Sequence, residues 1–260
     1  MLQKRRDRPG PETDFVWLNR FGENRDIMNQ NRILGSLSDA TLKRILPNLE
    51  PVNMVRGQII NQVDRSIEYI YFVNRGLVSF VKTMQDGRTV EVGAVGIEGI
   101  TDPNALFSID KAIVGSIVQI PGIAVRIRRD ILKREMEKDS TLLDVMHKCA
   151  RFAICQLVQT AACNRLHTLE ERCCRWLLIA HDNALAKSFP LTHEFLAMML
   201  GVQRSGVTIA ARFLQKAGLI QYTRGRVTIM DQSGLQDAAC ECYGTMRTEL
   251  KRLFGTTKRR

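Results

Sequence analysis

Long uncharged runs are missing from this sequence. No apolar stretch approaches the ~20 residues that a membrane-crossing helix needs, so no membrane partner is expected. An apolar signal core is missing too, since Gln3-Lys4-Arg5-Arg6-Asp7-Arg8-Pro9 leads into no hydrophobic segment. Paired cysteine spacing is absent: the seven cysteines are an odd, scattered set, which suits reduced thiols in a cytoplasmic chain. Cys173-Cys174 is a bare adjacent pair, and Cys240-x-Cys242 has no second CxxC and no ordered His partner. Both read as structural thiols rather than metal ligands. The four histidines, His147, His167, His181 and His193, include no pair that shares an i, i+4 face. HExxH, GxSxG and phosphate-loop GxxxxGKS patterns are also absent. No catalytic residue, no metal and no cofactor is expected, and the chain does not read as an enzyme.

Acidic residues are in deficit as well. Only 27 Asp and Glu stand against 38 Lys and Arg, giving a net charge of +11 and a pI of about 9.6. Such a balance favours an anionic partner, nucleic acid first. The excess is uneven, because from Asn164 onward 15 Lys and Arg face 8 Asp and Glu. The back of the chain is therefore the better candidate for a polyanion, although charge alone favours the plainer reading of a solvated basic surface.

Residues 1–30 are polar and interrupted by Pro and Gly, which predicts a loose extension with Leu18 and Phe21 as local anchors. A helix is predicted over 39–46, capped by Ser38 and stopped by Pro47. Short Val-, Ile-, Tyr- and Phe-rich runs then recur at 52–55, 58–63, 67–73, 77–84, 89–95, 112–120 and 123–127, the spacing of a sandwich, roll or barrel. Asp86-Gly87 between two of them is a hairpin signal. From about Asp130 the period lengthens, and residues 130–163 hold no Pro or Gly, so one long helix is expected. Met146, Ala150, Ala153, Leu157 and Thr160 alternate steps of four and three, a coiled-coil seam for a second copy. Val145, Ile154 and Val158 are left to face the chain's own β-region. A further amphipathic helix opens at Thr168 with two acids behind it.

The segment from Leu191 to Leu214, LTHEFLAMMLGVQRSGVTIAARFL, reads as a short helix, a tight break and a second helix. Thr192 caps the first, Ala197 is small where two helices touch, and Gly201 permits a left-handed turn residue. Val202, Val207 and Ala210 lock the second helix across the first. Its other face then carries Arg204, Ser205, Thr208 and Arg212 toward the N-terminal half, the half that enters the major groove in helix-turn-helix proteins. Residues 219–229 follow as a hairpin whose tip holds Arg224 and Arg226, placed to meet phosphates.

With these motifs the sequence resembles the Crp/Fnr family of bacterial transcription regulators. The resemblance covers about Asn31 to Tyr243 and is strongest in Leu191–Ile220, in Arg224-Gly225-Arg226 and in Cys240-Glu-Cys-Tyr243; Val73–Val78 and Gly96-Ile-Glu-Gly99 are collinear but weaker. It implies an α+β chain: a β-roll (a jelly roll related to cyclic-nucleotide-binding domains) over 31–130, a dimerisation helix over 131–165, and a winged helix-turn-helix over 166–260. It implies double-stranded DNA, a second copy of the chain and RNA polymerase as partners. The expected DNA contacts are Thr192, Arg204, Ser205, Thr208, Arg212, Arg224 and Arg226, with 204–216 as the recognition helix. Departures matter. Members that bind cyclic nucleotides follow a Gly-Glu motif with Arg-Ser or Arg-Thr, whereas no Arg stands between Gly99 and Arg126 here. Glu98 and Lys111 are the residual effector candidates, and Lys111 offers a point charge rather than a bidentate fork. Iron–sulfur members use N-terminal cysteines, whereas the first here is Cys149. The alternative reading is a ligand-binding receptor module that signals through protein partners without sequence-specific DNA binding.

Overall fold

The computed structural model describes residues 30–107 and 110–255; the expected anchors Leu18 and Phe21 lie outside them. Two short helices come first, α1 (Arg32–Gly35) and α2 (Asp39–Ile45), and the Ser38 side chain accepts from the Thr41 amide as the cap pattern requires. Five strands follow: β1 (Glu50–Met54), β2 (Ile59–Asn61), β3 (Tyr69–Thr83), β4 (Thr89–Val95) and β5 (Gly115–Arg128). They pair antiparallel in the order β1-β5-β3-β4, with β2 also on β5.

Four of the runs predicted as separate strands are fused in pairs. Residues 67–73 and 77–84 belong to one strand, β3, and 112–120 and 123–127 largely to another, β5. Turn-like Asn74-Arg-Gly76 and Pro121-Gly122 lie opposite each other, where the β3–β5 register shifts. A Cβ on Gly76 would stand 2.6 Å from the Ile120 carbonyl oxygen, and one on Gly122 would stand 2.0 Å from that of Arg75. The glycines therefore let two long strands cross closely, as a bulge pair rather than a turn. Asp86-Gly87 does close a hairpin, between β3 and β4, with Gly87 at φ +84°.

The predicted single helix is two. α3 (Arg129–Lys138) and α4 (Ser140–Leu166) break at Asp139, which is extended at φ −134°, ψ 102°. The break needs no Pro or Gly, because the Asp139 carboxylate accepts from the Thr141 and Leu142 amides and caps α4. Arg44 and Thr41 of α2 hold the same carboxylate. The expected faces of this helix are exchanged in part. Val145 packs on the roll's core and Leu157 of the seam is exposed, as expected, but Met146, Ala150 and Thr160 trade places with Ile154 and Val158. Met146, Ala150 and Thr160 are buried against the chain itself, while Ile154 and Val158 stand 54% and 66% exposed. The physical reason is that the β-roll and the terminal helix supply larger apolar partners for the Met146 side than the alternation alone revealed.

The helical head follows: α5 (Leu169–Ala184), β6 (Ser188–Pro190), α6 (His193–Leu200), α7 (Arg204–Lys216), β7 (Ile220–Thr223), β8 (Arg226–Ile229), α8 (Gln232–Asp237) and α9 (Cys242–Phe254). Thr168 and Glu171 close a reciprocal capping box on α5. One core gathers α1, α2, the inner sheet and the start of α4 around Phe72, Ile127 and Leu142. A second joins Leu77, Val81 and Ile120 of the sheet to Trp176, Leu196, Val207 and Val227 of the head. Each large side chain buried there contributes about 1.5–3 kcal/mol, so the head is packed on the roll and not merely tethered to it. Among the described residues no helix is long and apolar enough to cross a membrane.

Candidate nucleic-acid interface

α6 begins at Thr192, whose hydroxyl accepts from the Phe195 amide at 3.2 Å. It ends at Gly201, left-handed at φ +65°, ψ 37°. A residue with a side chain would be strained in that conformation, and a Cβ there would also stand 2.9 Å from Val90 Cγ2 of the β-roll. The tight break then directs α7 across α6. Val207, Ala210, Ala211 and Leu214 are buried in this crossing, with Ala197 buried on the α6 side.

That crossing turns the remaining face of α7 outward. Arg204, Ser205 and Arg212 are exposed, as expected. Thr208 is half-buried and occupied: its hydroxyl donates to the Arg204 carbonyl at 2.9 Å and lies 3.1 Å from His193 Nδ1. With its hydrogen committed to that carbonyl, the Thr208 hydroxyl accepts a hydrogen bond from the imidazole Nδ1–H, so it braces α7 on α6. Burial, then the neighbouring Arg204 and Arg212 charges, push the His193 pKa down, which favours the neutral ring. The His193 ring also packs on Tyr222 at 4.5 Å. Ile209 and Phe213 share the outward face and are exposed, apolar positions outside the polar set expected from the sequence. Their i, i+4 spacing with Ser205 was the signal available in the sequence.

β7 and β8 form the hairpin, closed by Arg224 at φ +49° and Gly225 at φ +75°. Both central residues are left-handed, the geometry whose twist matches paired strands. The Leu191 amide donates to the Gly225 carbonyl at 2.8 Å, and Tyr222 Oη donates to the Leu191 carbonyl. The wing is thereby fixed to the segment that starts α6. Arg224 and Arg226 are exposed, and Arg226 also donates to the Ser188 carbonyl at 3.1 Å. Among the described residues no ion pair engages Arg204, Arg212 or Arg224. Arg204, Arg212, Ile209 and Phe213 are thus exposed on the outward face of α7, and Arg224 is exposed at the tip of the hairpin.

The effector candidates are not brought together. Glu98 is buried, and its carboxylate accepts from the Gly96 amide at 2.9 Å. Burial pushes its pKa up. Asn183 of α5 takes the Ile97 amide at 2.9 Å, so this loop's polar groups are satisfied by the chain itself. The cavity beside Glu98, lined by Phe80, Cys149 and Phe152 among others, has room for about one water. Lys111 is exposed, is not part of that lining, and its carbonyl accepts from Asn104.

Residues 171–238 match the model of the Crp-like helix-turn-helix domain. FixK2 of Bradyrhizobium japonicum has a similar structure, with a TM-score of 0.63 at 17% identity over 74% of this chain and 98% of its own. A Crp/Fnr-family regulator of Eubacterium rectale gives 0.63 at 19% over 81% and 98%. A CRP-family regulator of Thermus thermophilus gives 0.60 at 21% over 72% and 96%. At these identities the likeness establishes the fold. No curated protein matches the sequence.

Proposed function

We infer from the Crp-like helix-turn-helix domain of this chain, carried on the fold of Crp/Fnr transcription regulators, that it binds specific double-stranded DNA sites as a homodimer. The observation that carries the reading is the outward face of α7, where Arg204, Ser205 and Arg212 stand exposed on a helix locked by buried Val207 and Ala210. In this reading α7 lies in the major groove. Arg204 pairs with guanine O6 and N7, and Ile209 and Phe213 meet thymine methyl groups. Arg224, Arg226 and the exposed Thr192 take backbone phosphates, which position the head without reading sequence. Thr208 contributes by holding Arg204's turn in place.

Two heads are needed for two half-sites, and the open face of α4 supplies the contact. His147, Arg151, Ile154, Val158, Ala161 and Arg165 alternate steps of four and three and are all exposed, which is a heptad seam with an apolar centre. The β-roll would act as a sensor for something other than a conventionally bound cyclic nucleotide, since Glu98 is spent on its own loop and Lys111 lies elsewhere. RNA polymerase is the partner expected next to such a dimer.

The test is affinity for a selected operator and for random duplex DNA across a salt series. Arg204→Ala should cost the operator roughly 1–3 kcal/mol while leaving random DNA nearly unchanged. An equal loss on both DNAs would remove α7 from the role of reader.

A further inference from the structure

Four side chains of metal-ligand type meet where the long helix ends. Cys163 lies in the last turn of α4, and His167, four residues on, is its C-cap, so the two share a side. Cys240 and Cys242 flank Glu241 where α9 begins. Cys163 Sγ and Cys240 Sγ are 3.6 Å apart, and Cys242 Sγ lies 3.6 Å from His167 Nδ1. All four ligand atoms fall within 4.8 Å of one another, with the three thiols buried. These thiols form a small cluster of their own, apart from the apolar cores.

The separations discriminate between the chemistries open to such a set. A disulfide needs about 2.05 Å between its sulfurs. An iron–sulfur cluster divides its four ligands between two or four irons, which spreads the whole set farther than one tight sphere. A tetrahedral ion with bonds of about 2.3 Å to sulfur separates its sulfurs by about 3.8 Å, and the observed 3.6 Å matches that case. The surroundings fit as well. His167 Nε2 stands 3.0 Å from a Glu241 carboxylate oxygen, so the imidazole would donate outward and turn Nδ1 inward, the arrangement that sets the tautomer of a ligating histidine. Gln159 Nε2 donates to Cys242 Sγ at 3.0 Å, a bond that suits a thiolate. Three sulfurs and one imidazole nitrogen fill all four tetrahedral positions and leave none for an exchangeable ligand, the donor set of structural zinc.

We propose that Cys163, His167, Cys240 and Cys242 form a structural Zn²⁺ site that clamps α9 to the end of α4. The thiols release their protons to solvent as the ion binds. The clamp sits at the joint where the long helix passes through His167 to the Thr168 cap of α5, so it sets the angle between the α4 seam and the reading head. Sequence spacing hid the site because 77 residues separate Cys163 from Cys240.

The full chain, purified under reductant from zinc-supplemented cells, should carry about one zinc by elemental mass spectrometry. Co²⁺ exchanged into it should show the intense visible bands of tetrahedral thiolate coordination. Cys240→Ser and Cys242→Ser should each lose most of the metal, and Cys155→Ser, elsewhere on α4, should retain it. Should the serine variants not fold, mercurial titration of wild type decides: zinc must leave in step with three thiols. Wild type that takes up neither zinc nor cobalt overturns the proposal. So does zinc retained in folded Cys240→Ser, or a Cys163–Cys240 disulfide without metal in protein whose thiols were trapped at lysis. Metal content is read without DNA, so this site and the DNA-binding reading stand or fall separately.

Discussion

Glu91 of β4 carries its carboxyl into the seam between the roll and the head. Ser79 of β3 donates to it, Trp176 of α5 donates its indole N–H at 3.2 Å, and the charge of Arg175 lies near. Burial nevertheless dominates and pushes its pKa up from 4.5 to about 7. A folded carboxyl that keeps its proton where the unfolded one has lost it makes stability fall as pH rises, here between about 4.5 and 7, and level off above. The cost at the upper end is at most roughly 3 kcal/mol. Glu91→Gln should remove that fall, so urea unfolding at pH 5 and pH 8 should show the variant gaining on wild type only at the higher pH. A constant difference at both values would mean that Glu91 does not titrate in this window. Arg224 illustrates a second residue-scale conflict. Its φ of +49° suits Asn or Gly better than a long side chain, yet its charge is what a phosphate requires. Arg224→Asn should raise the melting temperature while lowering affinity for operator and random DNA alike, with a salt dependence reduced by about one counterion per subunit. Selective loss of the operator would assign Arg224 to base reading instead.

The turn between α6 and α7 is the element on which the reading face depends. Gly201 serves it twice, through its positive φ and through the absence of a Cβ beside Val90. Gly201→Ala should therefore destabilise the fold by about 1–2 kcal/mol from the left-handed conformation, plus a steric part. Pairing it with Val90→Ala should recover only the steric part, and thermal unfolding of the two single variants and the double variant separates the contributions. Full recovery in the double variant would show that the turn itself tolerates a side chain. Either result also reports how tightly the roll grips the head, because Val90 belongs to β4 and Gly201 to the helix-turn-helix.

At the scale of the whole molecule, the open face of α4 decides whether one reading head becomes two. Val158 is 66% exposed at the middle of the seam and, among the described residues, belongs to no hydrophobic core. Val158→Glu should leave the monomer's melting temperature nearly unchanged, shift light-scattering mass from dimer to monomer, and weaken operator binding far more than random binding. A wild type that is monomeric at micromolar concentration, or a Val158→Glu variant that remains dimeric, would place the interface elsewhere.

Local chemistry was legible from the residues alone. Ser38, Thr168 and Thr192 cap helices because a short side-chain oxygen next to free amides has the same use in any fold. Asp86-Gly87 turned a hairpin for the same local reason. The order Thr192, Ala197, Gly201, Arg204 specified the helix-turn-helix because the cap, the turn and the helix crossing that define it are local in sequence. What the tertiary structure alone decided involves partners distant in sequence. Asn74-Arg-Gly76 became a bulge rather than a turn because Gly122 lies opposite it. Asp139 broke a helix with no breaker residue because Thr41 and Arg44 hold its carboxylate. Ile154 and Val158 were left open because the Met146 side had more apolar surface to bury against. Thr208 became a brace because His193 faces it. Cys163, His167, Cys240 and Cys242 met because α9 folds back on α4, and a ligand set assembled from two ends of a domain leaves no spacing to read.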